Sequence, residues 1–279
     1  LFKILPDNVV RYAGNTWPIM VISALIIVGG IGYQVIMEAF LWLRDRLQRR
    51  PGRPVFSLHF KVVTSTTLFL LVLGTLALFF IEYDNPNTLA GKSFGDQLLI
   101  AWFQSVVTRT AGFNSIDIGK METSALFVAI ALMFIGASPG STGGGIKTTT
   151  LRVLLACTRT ALRGKDEVTC YQRQIPVARV IKALSVVVSS VISVVIITTC
   201  ISLSDPGFSF IAILFEVVSA FATVGLSTGI TASLSQAGQL FLVAMMYIGR
   251  VGILLLMAAI LGDPSPSAIH YPEEDLLTG

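Results

Sequence analysis

Apolar stretches of membrane-spanning length recur along the chain, separated by polar breaks rich in Gly, Ser and Asp. The first runs from about Trp17 to Leu43 and the second from Val62 to Ile81. Phe94 to Val107 is as apolar but only 14 residues long, about 21 Å of helix and too short to cross a hydrocarbon core of about 30 Å. Ser93 and Asp96 form an S-x-x-D capping pattern at its start. The polar, Gly-containing segment Thr108 to Asn114 then leads straight into another apolar run, so this element reads as a re-entrant helix rather than one lying flat at the interface. That next run, Thr123 to about Leu155, is interrupted at 136–145 by GASPGSTGGG, which cannot stay helical. The span Lys182 to Leu203 follows, and its 21 residues from Ala183 onward reach about 31 Å as helix. Asp205 and Pro206 are N-cap and N1 residue types and predict the start of a second short helix, Phe208 to Ser219. It ends in Ala222 to Thr228. A last span, Gln239 to Leu261, precedes an acidic tail from Asp263 to Gly279.

Composition narrows the class: 53% of the 279 residues are hydrophobic and 13% charged, against about 25% charged in soluble domains. A water-soluble domain is excluded, and the chain reads as a polytopic membrane protein. The formal charge is only +4, but 14 of the 20 cations cluster in the loops 44–61 and 147–182. The positive-inside rule puts both loops, and by parity the C-terminus, in the cytoplasm of a cell-membrane protein. Orientation accounts for the Arg-rich stretch 44–53, so no nucleic acid partner is inferred. Cys157, Cys170 and Cys200 have neither zinc-site nor disulfide spacing and read as unpaired thiols. No signal peptide is recognisable before Trp17, and the chain reads as the C-terminal part of a longer one.

The order span, short helix, Gly-containing turn, span occurs twice. Thr110-Ala111-Gly112 aligns with Thr223-Val224-Gly225, and 24 residues separate Gly112 from Gly136 and Gly225 from Gly249. Ile135-Gly136-Ala137 then aligns with Ile248-Gly249-Arg250, and Val28-Gly29-Gly30 offers the same context in the first span. Residues 1–61 therefore read as the last helix of an earlier unit with its loop. Residues 62–175 and 176–263 read as two complete units, and 264–279 as a tail.

Non-helical backbone at membrane depth survives only where it lines water or protein. A short helix returning through T-x-G suits one chemistry, in which freed carbonyl oxygens replace an ion's hydration shell and the helix directs its negative dipole end toward the pore. One such turn is adequately explained as a tight turn; two at matched spacing after two short helices favour a cation filter. Gln104-Ser-Val-Val-Thr-Arg-Thr-Ala-Gly-Phe-Asn-Ser115, the loop 136–150 and Met246-Tyr-Ile-Gly-Arg-Val-Gly252 resemble the TrkH/KtrB potassium-transporter family, nearest its Ktr and NtpJ type. The resemblance implies an all-α integral membrane fold in which four such units form one pseudo-fourfold pore. This chain supplies the end of the second unit and the third and fourth, and so cannot close a pore by itself. It also implies K+ carried by the backbone carbonyls of Thr110, Ala111, Gly112, Thr223, Val224 and Gly225. Phe113, Asn114, Leu226 and Ser227 complete the strands. Sodium dependence, a homodimer and a cytosolic ring of nucleotide-binding regulatory subunits are further implications, with no covalent cofactor and no enzyme chemistry. The NtpJ likeness leaves a second reading, an accessory membrane subunit of a sodium-translocating ATPase.

Against the TVGYG strand of tetrameric potassium channels, TVGLS carries Ser227 at the second glycine, which predicts fewer stacked ion sites. In the resembling family the stretch Gly136, Ala137, Ser138, Pro139, Gly140, Ser141, Thr142, Gly143, Gly144 and Gly145 is a movable intramembrane gate loop. Its end resembles a phosphate-binding P-loop but misses by one residue, Ile146 standing between Gly145 and Lys147. Arg250 is expected near the middle of the last span, where a charge costs about 2.5–3.5 kcal/mol and faces an aqueous path or a partner. At roughly 6 Å from a cation it would repel by about 2.8 kcal/mol at an effective ε near 20. The alternatives are a structural salt bridge to a carboxylate in the missing half, or hydrogen bonding to carbonyls of the broken helix. Arg109 is expected to turn from the ion path into the protein, with Glu216 as candidate neighbour. His59 and His270 lack ligand spacing and receive no role.

Overall fold

Serine side chains mark where four of the helices begin. The hydroxyls of Ser57, Ser93, Ser209 and Ser235 accept from the backbone N–H groups of Phe60, Asp96, Ala212 and Gly238, satisfying donors that a first helical turn leaves free. The structure, a computed structural model, describes residues 16–48, 56–165 and 167–252. In chain order the helices are α1 (Thr16–Ile31), α2 (Tyr33–Leu47), α3 (Leu58–Glu82), α4 (Phe94–Val107), α5 (Thr123–Phe134), α6 (Thr148–Ala161), α7 (Val177–Ser204), α8 (Phe210–Phe221) and α9 (Gln236–Val251). A hairpin of β1 (Thr169–Cys170) and β2 (Arg173–Gln174) lies between α6 and α7, turning through Tyr171 and Gln172 at positive φ.

The helices α3 and α7 are long and apolar enough to cross a membrane. Their outer faces expose Phe69 and Phe80, and Val195 and Ile196, as expected of surfaces that meet lipid rather than water. The short helices α4 and α8 are instead buried toward their C-terminal ends, with Phe103 and Phe215 fully enclosed. Helix α4 packs on α3, α8 packs on α7 and α9, and α5 joins the two units by packing on both α3 and α8. The fold is thus helical, with short enclosed helices held inside longer apolar ones.

Two expectations are corrected. The stretch from Trp17 to Leu43 is not one straight span: α1 and α2 diverge by 104° at Gly32. Gly32 has φ +94°, and a Cβ there would lie 2.5 Å from the Pro139 carbonyl oxygen, so this position requires a residue without a side chain. Asp205 and Pro206 do not start α8. Ser209 caps that helix, while Asp205 faces the start of α9, accepting at 2.7 Å from the backbone N–H of Ser235. Residues 49–55 of the first basic loop and everything beyond 252, including His270 and the acidic tail, lie outside the described residues.

Both units use the same clasp. In the first, buried Glu82 at the end of α3 accepts from the backbone N–H of Glu122, just ahead of α5, at 2.8 Å, and also from Asn85 and Thr88. In the second, Asp205 at the end of α7 accepts from Ser235, just ahead of α9, through both backbone and hydroxyl. Each carboxylate ties the end of a long helix, α3 or α7, to the start of α5 or α9 and so brackets the segment that carries a short helix and its T-x-G turn.

Candidate functional site

The chain turns in the same way at the C-terminal ends of α4 and α8. Thr110 (φ 67°) and Gly112 (φ 70°) flank Ala111, and Thr223 (φ 53°) and Gly225 (φ 86°) flank Val224. Positive φ at a β-branched residue costs on the order of 1–3 kcal/mol and persists only where the surroundings impose it. Among the described residues no hydrogen bond reaches the carbonyl oxygens of Thr110, Ala111, Gly112, Thr223, Val224 or Gly225. The two turns also meet: a Cβ on Gly112 would lie 2.8 Å from the Val224 carbonyl oxygen and 3.4 Å from the Gly225 Cα. The two turns are thus in direct contact, and their carbonyls accept no hydrogen bond among the described residues.

Past Gly225 the strand turns its groups inward. The Leu226 carbonyl accepts from the Ser219 hydroxyl at 2.6 Å, and the Ser227 hydroxyl donates to Glu216 at 2.6 Å. Phe113 and Asn114 continue the other turn, half-buried, with the Asn114 amide donating to the Ile116 carbonyl.

The stretch 136–145 lies against these turns, between α5 and α6. A Cβ on Gly143 would stand 2.7 Å from the Thr110 Oγ1, and one on Gly144 2.7 Å from the Thr223 Oγ1. The Gly144 N–H donates to that threonine hydroxyl at 3.1 Å. On its far side the loop pairs with the bend between α1 and α2: Ser138 N–H donates to the Gly30 carbonyl at 3.0 Å, and Tyr33 N–H to the Gly140 carbonyl at 3.2 Å. Two cations hold two further carbonyls of the loop. The Lys147 ammonium donates to Gly143 at 2.6 Å, and the Arg250 guanidinium donates to Thr142.

The sequence profile of TrkH, a cation transport protein family, matches residues 2–271. The chain belongs to the TrkH family. It is 38% identical over 278 residues to the Ktr system potassium uptake protein B of Bacillus subtilis (strain 168), covering all of this chain and 60% of that protein. It is 39% identical over 285 residues to the potassium/sodium uptake protein NtpJ of Enterococcus hirae, covering 61% of it. The TrkH potassium transporter of Vibrio parahaemolyticus has the same fold, with a TM-score of 0.64 at 18% identity over 87% of this chain and 51% of that one. The chain therefore spans about 60% of the length of these curated relatives.

In this TrkH-family chain three charged residues are placed differently from expectation or more fully defined. α9 ends at Val251 with Gly252 (φ 86°) as its cap, so Arg250 sits in the last turn of α9, and the remainder of the expected span lies outside the described residues. There it complements the helix dipole and reaches the loop carbonyl. Arg109 is buried beside Ile26, Gly30, Thr67 and Ala137. It does not pair with Glu216, whose carboxylate instead accepts from the hydroxyls of Ser227, Thr228 and Thr231 and the backbone N–H of Thr228. Glu216 thus fixes the strand beyond Gly225. Sequence reasoning missed this role, as it missed that of Lys147, read only within a basic loop and a near-miss P-loop. Its place directly after GGGI, beside carbonyls released by a broken helix, was the available signal.

Proposed function

We propose that this chain forms the last two pore units of a potassium-uptake transporter, passing K+ between backbone carbonyls of Thr110, Ala111, Gly112, Thr223, Val224 and Gly225. The observation that carries this reading is the meeting of two strained turns with six carbonyls that accept no hydrogen bond among the described residues. A dehydrated alkali cation satisfies such oxygens as water would. The C-terminal ends of α4 and α8 precede the turns and add favourable negative dipole character.

The loop 136–145 is the gate in this proposal. It rests on the first residue of each turn and is tied by hydrogen bonds to the bend between α1 and α2, to Thr223, to Lys147 and to Arg250. Arg250 serves as a latch on Thr142 rather than as a free pore charge. The names of the Ktr and NtpJ relatives support potassium uptake with sodium involvement, and do not favour an ATPase accessory subunit. The proposal includes basic loops 44–61 and 147–182 and the C-terminus on the cytoplasmic side, a homodimer, and cytosolic nucleotide-binding regulatory subunits.

Rubidium uptake by the full-length protein in a host lacking its own potassium transport tests this. The proposal expects restored growth at low potassium and saturable uptake that K+ competes away. Expression at the membrane without either would contradict it.

A further inference from the structure

A cleft of about 680 Å³ opens between the first turns of α3, α6 and α7, on the side of the basic loop 147–182. Pockets of this size hold ligands. Its walls carry Lys147, Arg152, Arg179, Lys182 and His59, and among the described residues no Asp or Glu lines it. Neither ion pair among those residues involves any of the four cations, and the His59 Nε2 is buried without a hydrogen-bond partner. Arg179, Lys182, Ala183 and Val186 lie on one face of α7 by their i, i+3, i+4, i+7 spacing. That face therefore passes from positive to apolar toward the middle of the span. Val62 of α3 and Val153 of α6 continue the apolar wall, and the neighbouring exposed residues Ile181, Leu184 and Val188 give α7 a lipid-facing surface.

A site that is cationic at the membrane edge, apolar farther in and open to lipid matches an amphipathic anion. We infer that this cleft binds the headgroup of an anionic phospholipid of the inner leaflet, with its phosphate among Arg152, Arg179, Lys182 and Lys147 and its upper acyl chains along Val62, Val153 and Val186. A soluble anion would not use the apolar wall, and a neutral lipid would leave the cations without counter-charge. The orientation rests on the proposed cytoplasmic side of this loop. Lys147 also holds the Gly143 carbonyl at 2.6 Å, so the phosphate and the gate loop compete for one ammonium.

Intact-complex mass spectrometry of the full-length protein tests this, with phosphatidylglycerol and phosphatidylcholine offered at equal mole fraction. The inference expects preferential retention of phosphatidylglycerol, reduced about five-fold in Arg179→Gln and about 25-fold in the Arg152→Gln, Arg179→Gln double variant. Arg179 is exposed at the start of α7, so the single variant keeps the test open if the double variant fails to fold. Equal retention of both lipids, unchanged retention in the variants, or displacement by millimolar inorganic phosphate would overturn the site. In liposomes, rubidium flux should rise with phosphatidylglycerol content in the parent and not in the double variant; indifference to lipid in both would overturn the link to the gate. Retention is read without ion flux, so its failure leaves the filter proposal standing.

Discussion

The Arg250 guanidinium at the end of α9 donates to the backbone carbonyl of Thr142, a residue 108 positions earlier in the chain. The bond joins the last helix of one unit to the interrupted helix of the other. Its acceptor is a carbonyl that the break at 136–145 has freed from helical pairing. Replacing Arg250 by Gln removes the charge assistance, worth about 1 kcal/mol at this exposed position, and shifts a closed loop toward its open state. Initial rubidium uptake per transporter should rise about five-fold. An unchanged rate in a well-expressed Arg250→Gln protein would remove the latch from the mechanism.

The loop itself makes the complementary prediction. Its glycines at 143 and 144 fit against the hydroxyls of Thr110 and Thr223, and a methyl at Gly144 would stand 2.7 Å from the Thr223 Oγ1. Gly144→Ala and deletion of part of 137–145 should both raise flux, measured as uptake in cells or liposomes. Reduced flux with intact folding would make the segment a structural hinge instead.

Gly112 combines φ +70° with a Cβ position 2.8 Å from the Val224 carbonyl oxygen. Gly112→Ala imposes a backbone penalty of about 1–2 kcal/mol and pushes on the opposite turn. Potassium uptake should fall about ten-fold or more, and discrimination against sodium should weaken, as read from competition of each cation against rubidium.

The Asp205 clasp predicts an acid limb. Hydrogen bonds from the Ser204 hydroxyl and then the Ser235 backbone N–H hold its carboxyl below the ordinary carboxylate range. A depressed folded value means its stabilisation is present above the unfolded value and is lost as pH falls through the folded one. The Tm of the purified full-length protein should therefore drop below about pH 4 more steeply for the parent than for Asp205→Asn, which should start lower at neutral pH. Parallel curves would show that the clasp contributes nothing.

What the sequence made legible was local. The Ser93 cap and the run to Val107 define α4 at the residues where it is found, and 136–145 breaks the helix between α5 and α6. The T-x-G alignment anticipated two turns that share the same pattern of positive φ. What it hid depends on partners far along the chain. Gly32 looked like one of several glycines in an apolar span because its crowding comes from Pro139. Asp205 satisfied the residue preferences of a helix start, yet its partner is Ser235, 30 residues on. Glu216 was a candidate neighbour of Arg109, but it accepts instead from the hydroxyls of Ser227, Thr228 and Thr231.

Thallium, a heavy analogue of K+, locates the ion directly. Anomalous diffraction from crystals of the full-length protein grown with thallium should give a peak bounded by the carbonyls of 110–112 and 223–225, which disappears when K+ is restored in excess. Well-ordered turns at these positions with no thallium between them, and thallium bound elsewhere in the membrane region, would contradict the carbonyl filter.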